Sequence, residues 1–254
     1  MEIKNTHANK AESYDIGRPS YPQAFFDYVY DELGLTQNAI IADVGAGTGK
    51  ITKSFLERGS SVFAVEPDPD MMKILKKKLT PYTHCTLIEN AAENTEIPPN
   101  SIDFIFCGNA YNWFDRNRVI PEFKRIIKND TRRTNIMVAT LGPDHDVREV
   151  YADAFLEINK KFIKPNPNRK PNISPPFKSD TFVTKKFPCV ISESFNQFLH
   201  GALSASHTPT PQDRCFDEYC ESVKRLFEKY SDHGTIEAHL KLWCITGNVE
   251  NLVY

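Results

Sequence analysis

The chain has 254 residues, 25% charged and 40% hydrophobic, with 31 basic against 33 acidic side chains and a net charge of −2. That length allows one large or two small domains with a sizeable core. A charge balance this close to neutral gives no footprint for nucleic acid or an anionic lipid surface. No apolar run reaches 18 residues and the N-terminal M-E-I-K-N-T-H has no apolar segment. Neither a membrane partner nor secretion is expected, and the expected compartment is the cytoplasm.

The six cysteines show no C-x-x-C spacing, and several fall in apolar runs. They are expected to be reduced core thiols, with no metal site. His145 lies in D-H-D, but three adjacent residues cannot all point at one ion from a regular element.

In chain order, a polar start leads to Y-D-I-G-R-P-S-Y-P at 14–22, whose last proline can open a helix. Phe25, Phe26, Val29 and Leu33 then mark one face of a helix over 25–33, which Gly34 can end. Residues 40–44, I-I-A-D-V, have the length and branching of a buried strand. Gly45, Gly47 and Gly49 follow at once, then a helical pattern over 48–58. A second apolar run, 62–65, ends in Glu66. Strand, glycine turn, helix, strand and acid make half of a nucleotide-binding unit. A carboxylate at the tip of the second strand, about twenty residues past the glycines, is placed to accept two ribose hydroxyls.

Asp68 or Asp70 can cap a helix over 71–79. A third strand is expected at 85–88 and a fourth at 104–107. A helix over 119–127 and a fifth strand over 135–141 follow, joined by the turn Lys128-Asn129-Asp130. A long helix is expected over 144–162. Residues 161–211 hold eight of the seventeen prolines, and this shift marks an expected lid containing a short strand at 182–190. Ser192 can cap a helix running to about 206, with His200 and His207 seven apart on one face. An amphipathic helix over 212–230 and a last strand or strand pair over 235–249 complete the chain.

Two phosphate-binding readings fail on spacing. The dinucleotide fingerprint G-x-G-x-x-G needs glycine where Lys50 stands. A P-loop needs glycine at Val44 and Ser or Thr at Ile51. The run D-V-G-A-G-T-G at 43–49 resembles the first motif of class I S-adenosylmethionine-dependent methyltransferases, whose loop holds a methionine zwitterion instead of a pyrophosphate. The arm Tyr14-Asp15-x-x-Arg18-Pro19-x-Tyr21-Pro22 is similar to a segment ahead of that motif in a small-molecule branch of the family.

The resemblance implies an α/β fold: a Rossmann-like, mostly parallel seven-stranded sheet between helices, with a helical lid insertion. It implies a cofactor-binding core over 1–142, a lid over 143–211 and a C-terminal part over 212–254 completing the core. It implies S-adenosyl-L-methionine as cofactor, contacted by Asp43, Gly45, Ala46, Gly47, Thr48, Glu66 and Pro67. Met71 would lie on an adenine face, with the Ala92 N–H and the Glu93 carboxylate at the ring edge. Asn109 and Ala110 would sit near the sulfonium, and Tyr14 and Arg18 near the methionine end, where Arg18 can fork onto the carboxylate.

On the acceptor side the family often has A-F-H-W-F where this chain has Ala110-Tyr111-Asn112-Trp113-Phe114. His207 stands where the lid motif S-x-S-Y-x-P has tyrosine. Tyr111, Asn112 and His207 are therefore the catalytic candidates. The expected partner is a small-molecule acceptor, and the expected assembly is a monomer or homodimer. Two other functions remain open: a nicotinamide-dependent oxidoreductase, and an S-adenosylmethionine-binding protein without catalysis.

Overall fold

The structure is a computed structural model that describes residues 10–129, 134–163 and 175–253. Asp130 of the expected turn and residues 164–174 of the expected lid lie outside the described residues. Seven strands form one sheet: β1 (Ile40–Val44), β2 (Ser61–Val65), β3 (Cys85–Ile88), β4 (Phe104–Gly108), β5 (Ile136–Pro143), β6 (Phe182–Ser194) and β7 (Thr235–Gly247). Their order is β3-β2-β1-β4-β5-β7-β6. The pairs β1–β2, β1–β4, β2–β3 and β4–β5 are parallel. The strand order thus reverses between β1 and β4, the place where open α/β sheets bind ligands.

By their contacts the described residues divide into two units, one of residues 20–129, 134–141, 175–187 and 242–253, the other of residues 10–19, 142–163 and 188–241. The first unit holds helices α2 (Gln23–Asp27), α3 (Lys50–Leu56), α4 (Pro69–Leu79) and α5 (Arg116–Ile126). Alternation along β4 sends neighbouring side chains to opposite faces. Phe106 meets Tyr21, Phe25 and Phe55 edge-on, with ring centroids 5.7–5.8 Å apart. Ile105 and Cys107 instead pack with Val119, Ile120 and Phe123 of α5. Aromatic edge-to-face pairs on one side and aliphatic packing on the other fix the sheet between its helices. The helix expected at 25–33 is α2 continued by a π-helical turn, Tyr28–Glu32, and Gly34 follows it in the left-handed region.

Two local devices hold this unit's loops. The Asp68 carboxylate caps α4, accepting from the Asp70 and Met71 amides at 2.8 and 3.2 Å, and Pro69 takes the first helical turn, where its missing N–H costs nothing. Glu122 on α5 accepts from the Thr95 amide and hydroxyl and from the Arg125 guanidinium. That carboxylate ties the loop before β4 to α5.

The second unit holds α1 (Ala11–Gly17), α6 (Ala152–Phe162), α7 (Phe195–Leu203) and α8 (Phe216–Tyr230). Its core is built from Tyr151, Phe198, Leu203, Tyr219, Val223, Leu226, Phe227 and Ile236. α1 lies against α7 so closely that a methyl group on Gly17 would fall 2.0 Å from the Gly201 amide nitrogen. The buried Lys10 ammonium donates to the Ala205 and Thr208 carbonyls and to the Thr208 hydroxyl.

Several element boundaries differ from expectation. β6 is a thirteen-residue edge strand of the sheet, where 182–190 reads as a short strand inside a lid. Pro188 sits within it, and an edge strand is where a proline is tolerated. The helix after it is capped by Ser194, not Ser192, through a capping box with Gln197. α6 begins at Ala152, not 144, because 144–151 is held in a turn: Asp144 and Asp146 both bind the Lys241 ammonium. The last strand is single. All six cysteines are free.

Candidate functional site

The site is built at the carboxyl ends of β1, β2 and β4. Val44 ends β1, and the chain turns at Gly45, whose amide and that of Ala46 donate to the Val65 carbonyl at 2.9 and 3.0 Å. Gly45 has φ +79°, and a methyl group on it would lie 2.3 Å from the Ala110 Cβ. Left-handed backbone and close approach both demand glycine here. The loop after β1 therefore packs directly on the segment after β4. Gly47 and Gly49 also take positive φ before α3 opens at Lys50.

Glu66 follows β2 and is 8% exposed. One carboxylate oxygen accepts from the Gly47 amide at 2.8 Å and the other from the Asp68 amide at 2.9 Å. Burial raises its pKa, opposed by these two amide bonds. Each oxygen keeps a second lone pair for a ligand hydroxyl. The side chain thus has two functions, bracing the glycine loop and presenting an acceptor pair.

Asp43, inside β1, is fully buried. The Thr52 hydroxyl donates to its Oδ2 at 2.5 Å, while Oδ1 has no partner. Burial pushes its pKa up to about 7, against the Thr52 hydrogen bond. The Thr48 hydroxyl is also buried without a partner. Buried polar atoms left unpaired are costly and call for an explanation. Here two of them flank one glycine loop.

The other expected contacts of this unit are placed as follows. Met71 is buried in the first turn of α4, and Pro67 lies between Glu66 and the cap Asp68. Ala92 is buried, and Glu93 accepts from the Asp115 amide at 2.8 Å, so its carboxylate also positions the start of α5. Asn109 has φ +56°, which asparagine tolerates. Its side chain spans to Leu141 of β5, accepting from its amide and donating to its carbonyl. Tyr111 is 2% exposed and its hydroxyl has no partner. Asn112, in the same short 3-10 turn, is exposed.

Tyr14, Arg18 and His207 belong to the second unit. The Arg18 guanidinium lies 5.2 Å from the Tyr14 ring centroid, and its Nε is buried without a partner. His207 is exposed and follows the end of α7 at Leu203, so it does not share a helix face with His200. His200 lies 3.0 Å from the Ser13 hydroxyl through Nδ1.

Sequence reasoning did not find Arg116, the first residue of α5, whose guanidinium stands 5.5 Å from the Tyr111 ring centroid. Its signal was faint: a basic residue just after the cap Asp115. Among the described residues no three His, Cys, Asp or Glu side chains are grouped to hold a metal, and no helix is long and apolar enough to cross a membrane.

A sheet ordered 3-2-1-4-5-7-6, a glycine loop after β1 and an acid at the tip of β2 define the Rossmann-like fold of class I S-adenosylmethionine-dependent methyltransferases. Residues 42–132 match the family model described as a methyltransferase domain. An uncharacterised methyltransferase of Mycobacterium tuberculosis is 37% identical over 116 residues, 46% of this chain and 45% of that one. An uncharacterised methyltransferase-like protein of Schizosaccharomyces pombe is 29% identical over 129 residues, 50% of this chain and 49% of its own. The chain thus spans about half the length of the curated relatives it matches. Among solved structures, a candidate type II methyltransferase from Anaeromyxobacter dehalogenans superposes with a TM-score of 0.61 at 18% identity, covering 91% of this chain and 98% of that one. A candidate antibiotic-pathway methyltransferase from Anabaena variabilis gives 0.52 at 17%, covering 87% and 96%. These two likenesses support the fold.

Proposed function

We propose that this chain transfers a methyl group from S-adenosylmethionine to a small-molecule acceptor. The observation that carries the proposal is Glu66, with both carboxylate oxygens fixed by backbone amides at the mouth of the glycine loop and still able to accept two ribose hydroxyls. The loop itself fits the group. The unpaired Asp43 Oδ1 suits the cationic ammonium of a methionine moiety, and the unpaired Thr48 hydroxyl suits its carboxylate. Gly45, Ala46 and Gly47 leave room for the backbone to approach it. Met71 and Pro67 offer an apolar surface to adenine, while the Ala92 amide and Glu93 suit the ring edge. Asn109 and Ala110 follow β4, beside the loop. For Tyr14 and Arg18 the support is the arm motif itself.

When bound, the cofactor supplies an electrophilic methyl on a sulfonium. The residues then have to align the acceptor and exclude water. The segment after β4 offers little basicity. Burial pushes the Tyr111 hydroxyl up to about 12, so it remains a proton donor at neutral pH. Asn112 carries an amide, which cannot take a proton. Alignment of an acceptor that arrives as a competent nucleophile is the mechanism these side chains support, with His207 as the only base candidate the sequence offered. Substituting His207 by alanine is expected to leave the rate nearly unchanged. A base role would instead cost roughly 10²–10⁴ and impose a pH profile near the unperturbed histidine value of about 6.5.

The function is tested with radiolabelled S-adenosylmethionine and a panel of small O, N, S and C nucleophiles. Label transferred to at least one acceptor is expected. Cofactor binding with no transfer to any acceptor would favour a non-catalytic binding protein.

A further inference from the structure

At the amino end of α5, two polar groups are buried with nothing to bond to. The Tyr111 hydroxyl has no partner in a residue 2% exposed. The Arg116 Nη2 is buried as well, also without a partner. The two belong together, since the Arg116 guanidinium carbon lies 5.5 Å from the Tyr111 ring centroid. Among the described residues no carboxylate is paired with Arg116. Two carboxylates at this helix start are committed elsewhere: Asp115 caps α5 by accepting from the Asn117 amide, and Glu93 accepts from the Asp115 amide. The eleven-residue α5 adds the positive end of its dipole at this point.

An unpaired buried hydroxyl is costly, and an unpaired charged donor more so. A fold that accepts both at one place is shaped for something absent from the chain itself. Both groups are donors: guanidinium has no acceptor, and a hydroxyl whose ionisation is suppressed by burial donates. What two neighbouring unpaired donors and a helix amino terminus recognise is an oxyanion.

We propose that Tyr111 and Arg116 bind an oxyanion carried by the methyl acceptor, a carboxylate or a phosphate, so that the substrate class is an anionic small molecule. This rests on the methyltransferase reading above. Placement supports it: Tyr111 directly follows Ala110, which packs on Gly45 of the cofactor loop. Asn112 and Trp113, between the two in sequence, are exposed. Neither residue needs to change protonation for this role, and no base is required of them.

The test is titration of the protein, ligand-free and loaded with S-adenosylhomocysteine, with 4-fluorobenzoate followed by fluorine NMR, and with phenyl phosphate by calorimetry. The two probes distinguish a carboxylate from a phosphate. Saturable binding of at least one is expected. Arg116→Gln should weaken it tenfold or more, the loss of a charge-assisted bond. Tyr111→Phe keeps the ring and its packing, removes only the unpaired hydroxyl, and should weaken it several-fold without lowering the melting temperature. Affinity for S-adenosylhomocysteine should stay within about twofold of the parent in both. Equal anion binding by Arg116→Gln, or no saturable binding of either probe, would overturn the proposal and make the pair a buried-water site. A tenfold loss of S-adenosylhomocysteine affinity in Arg116→Gln would also overturn it, assigning the pair to the cofactor's carboxylate. If the parent protein fails to bind S-adenosylhomocysteine, the cofactor reading falls. The ligand-free titration still decides whether the anion site exists.

Discussion

Glu66 shows how one side chain joins stability to recognition. From the sequence alone its carboxylate is expected to face only a ligand, so that its loss spares the fold. The structure corrects this, because the same carboxylate accepts from the Gly47 and Asp68 amides. Glu66→Ala is therefore expected to lower both stability and cofactor affinity, since two amides lose a charged acceptor. Glu66→Gln retains an acceptor oxygen and separates the effects. It should melt closer to the parent yet bind S-adenosylhomocysteine about ten- to a hundredfold more weakly, a loss of roughly 1.5–3 kcal/mol at about 1.4 kcal/mol per decade. Unchanged affinity by calorimetry would make Glu66 a loop brace only. Asp43 gives a pH signature. Its folded pKa, about 7, stands above the ordinary 3.8 because of burial. The folded, ligand-free protein then holds a proton that the unfolded chain lacks between those values. Its contribution to stability is present in full below about 4 and is lost as pH rises through about 7. Asp43→Asn should flatten that dependence, raise the melting temperature of the ligand-free protein at pH 8, and weaken cofactor binding. Thermal melts from pH 5 to 8 check it, and an unchanged slope would contradict the assignment.

At the scale of elements, the glycine positions fall into two kinds. Gly45 is fixed by its left-handed backbone and by Ala110 across the loop. Gly45→Ala is expected to cost several kcal/mol, a strain of about 1–3 kcal/mol plus a clash, and to abolish cofactor binding. Gly17 is fixed by proximity alone, since α1 and α7 touch there through their backbones. Gly17→Ala should loosen α1 from α7. Faster amide exchange over residues 11–17, with the rates of α3 and α4 unchanged, is the expected result. Protection over α1 equal to the parent would show that the contact carries no energy.

Elements also show what was legible beforehand. β1, the glycine loop, β2 and Glu66 could be read because a buried parallel strand is a continuous apolar run, and because its turn needs glycine where a side chain cannot go. The α4 cap could be read because Asp-Pro-Asp is a helix start with its own chemistry. The sequence shows only part of β6, because Pro188 and the prolines around it resemble a loop, and no local signal says that a strand lies at a sheet edge. α6 starts later than its periodicity suggests because 144–151 is held by Lys241, 95 residues from Asp146. No periodicity in a window of residues contains that contact. Within the site, acids and glycines were legible by spacing. Tyr111 was read as a candidate without its unpaired hydroxyl, and Arg116 was missed, since an unsatisfied donor is visible only once the surrounding atoms are placed.

For the whole molecule, the β1–β4 reversal is read as a site for S-adenosylmethionine and not for a dinucleotide. The layout of strand, glycines and acid is common to both. The difference lies in Lys50, which occupies the third glycine position of a dinucleotide fingerprint and opens α3, and in a loop whose unpaired groups suit a zwitterion. The most direct measurement is a thermal melt with S-adenosylmethionine, S-adenosylhomocysteine or NAD, each at graded concentrations, paired with calorimetry for affinity. S-adenosylmethionine at 100 times its dissociation constant is expected to stabilise the protein by about 2.7 kcal/mol, S-adenosylhomocysteine comparably, and NAD is expected to leave the melting temperature unchanged. Stabilisation by NAD, with none by either sulfur nucleoside, would contradict this reading.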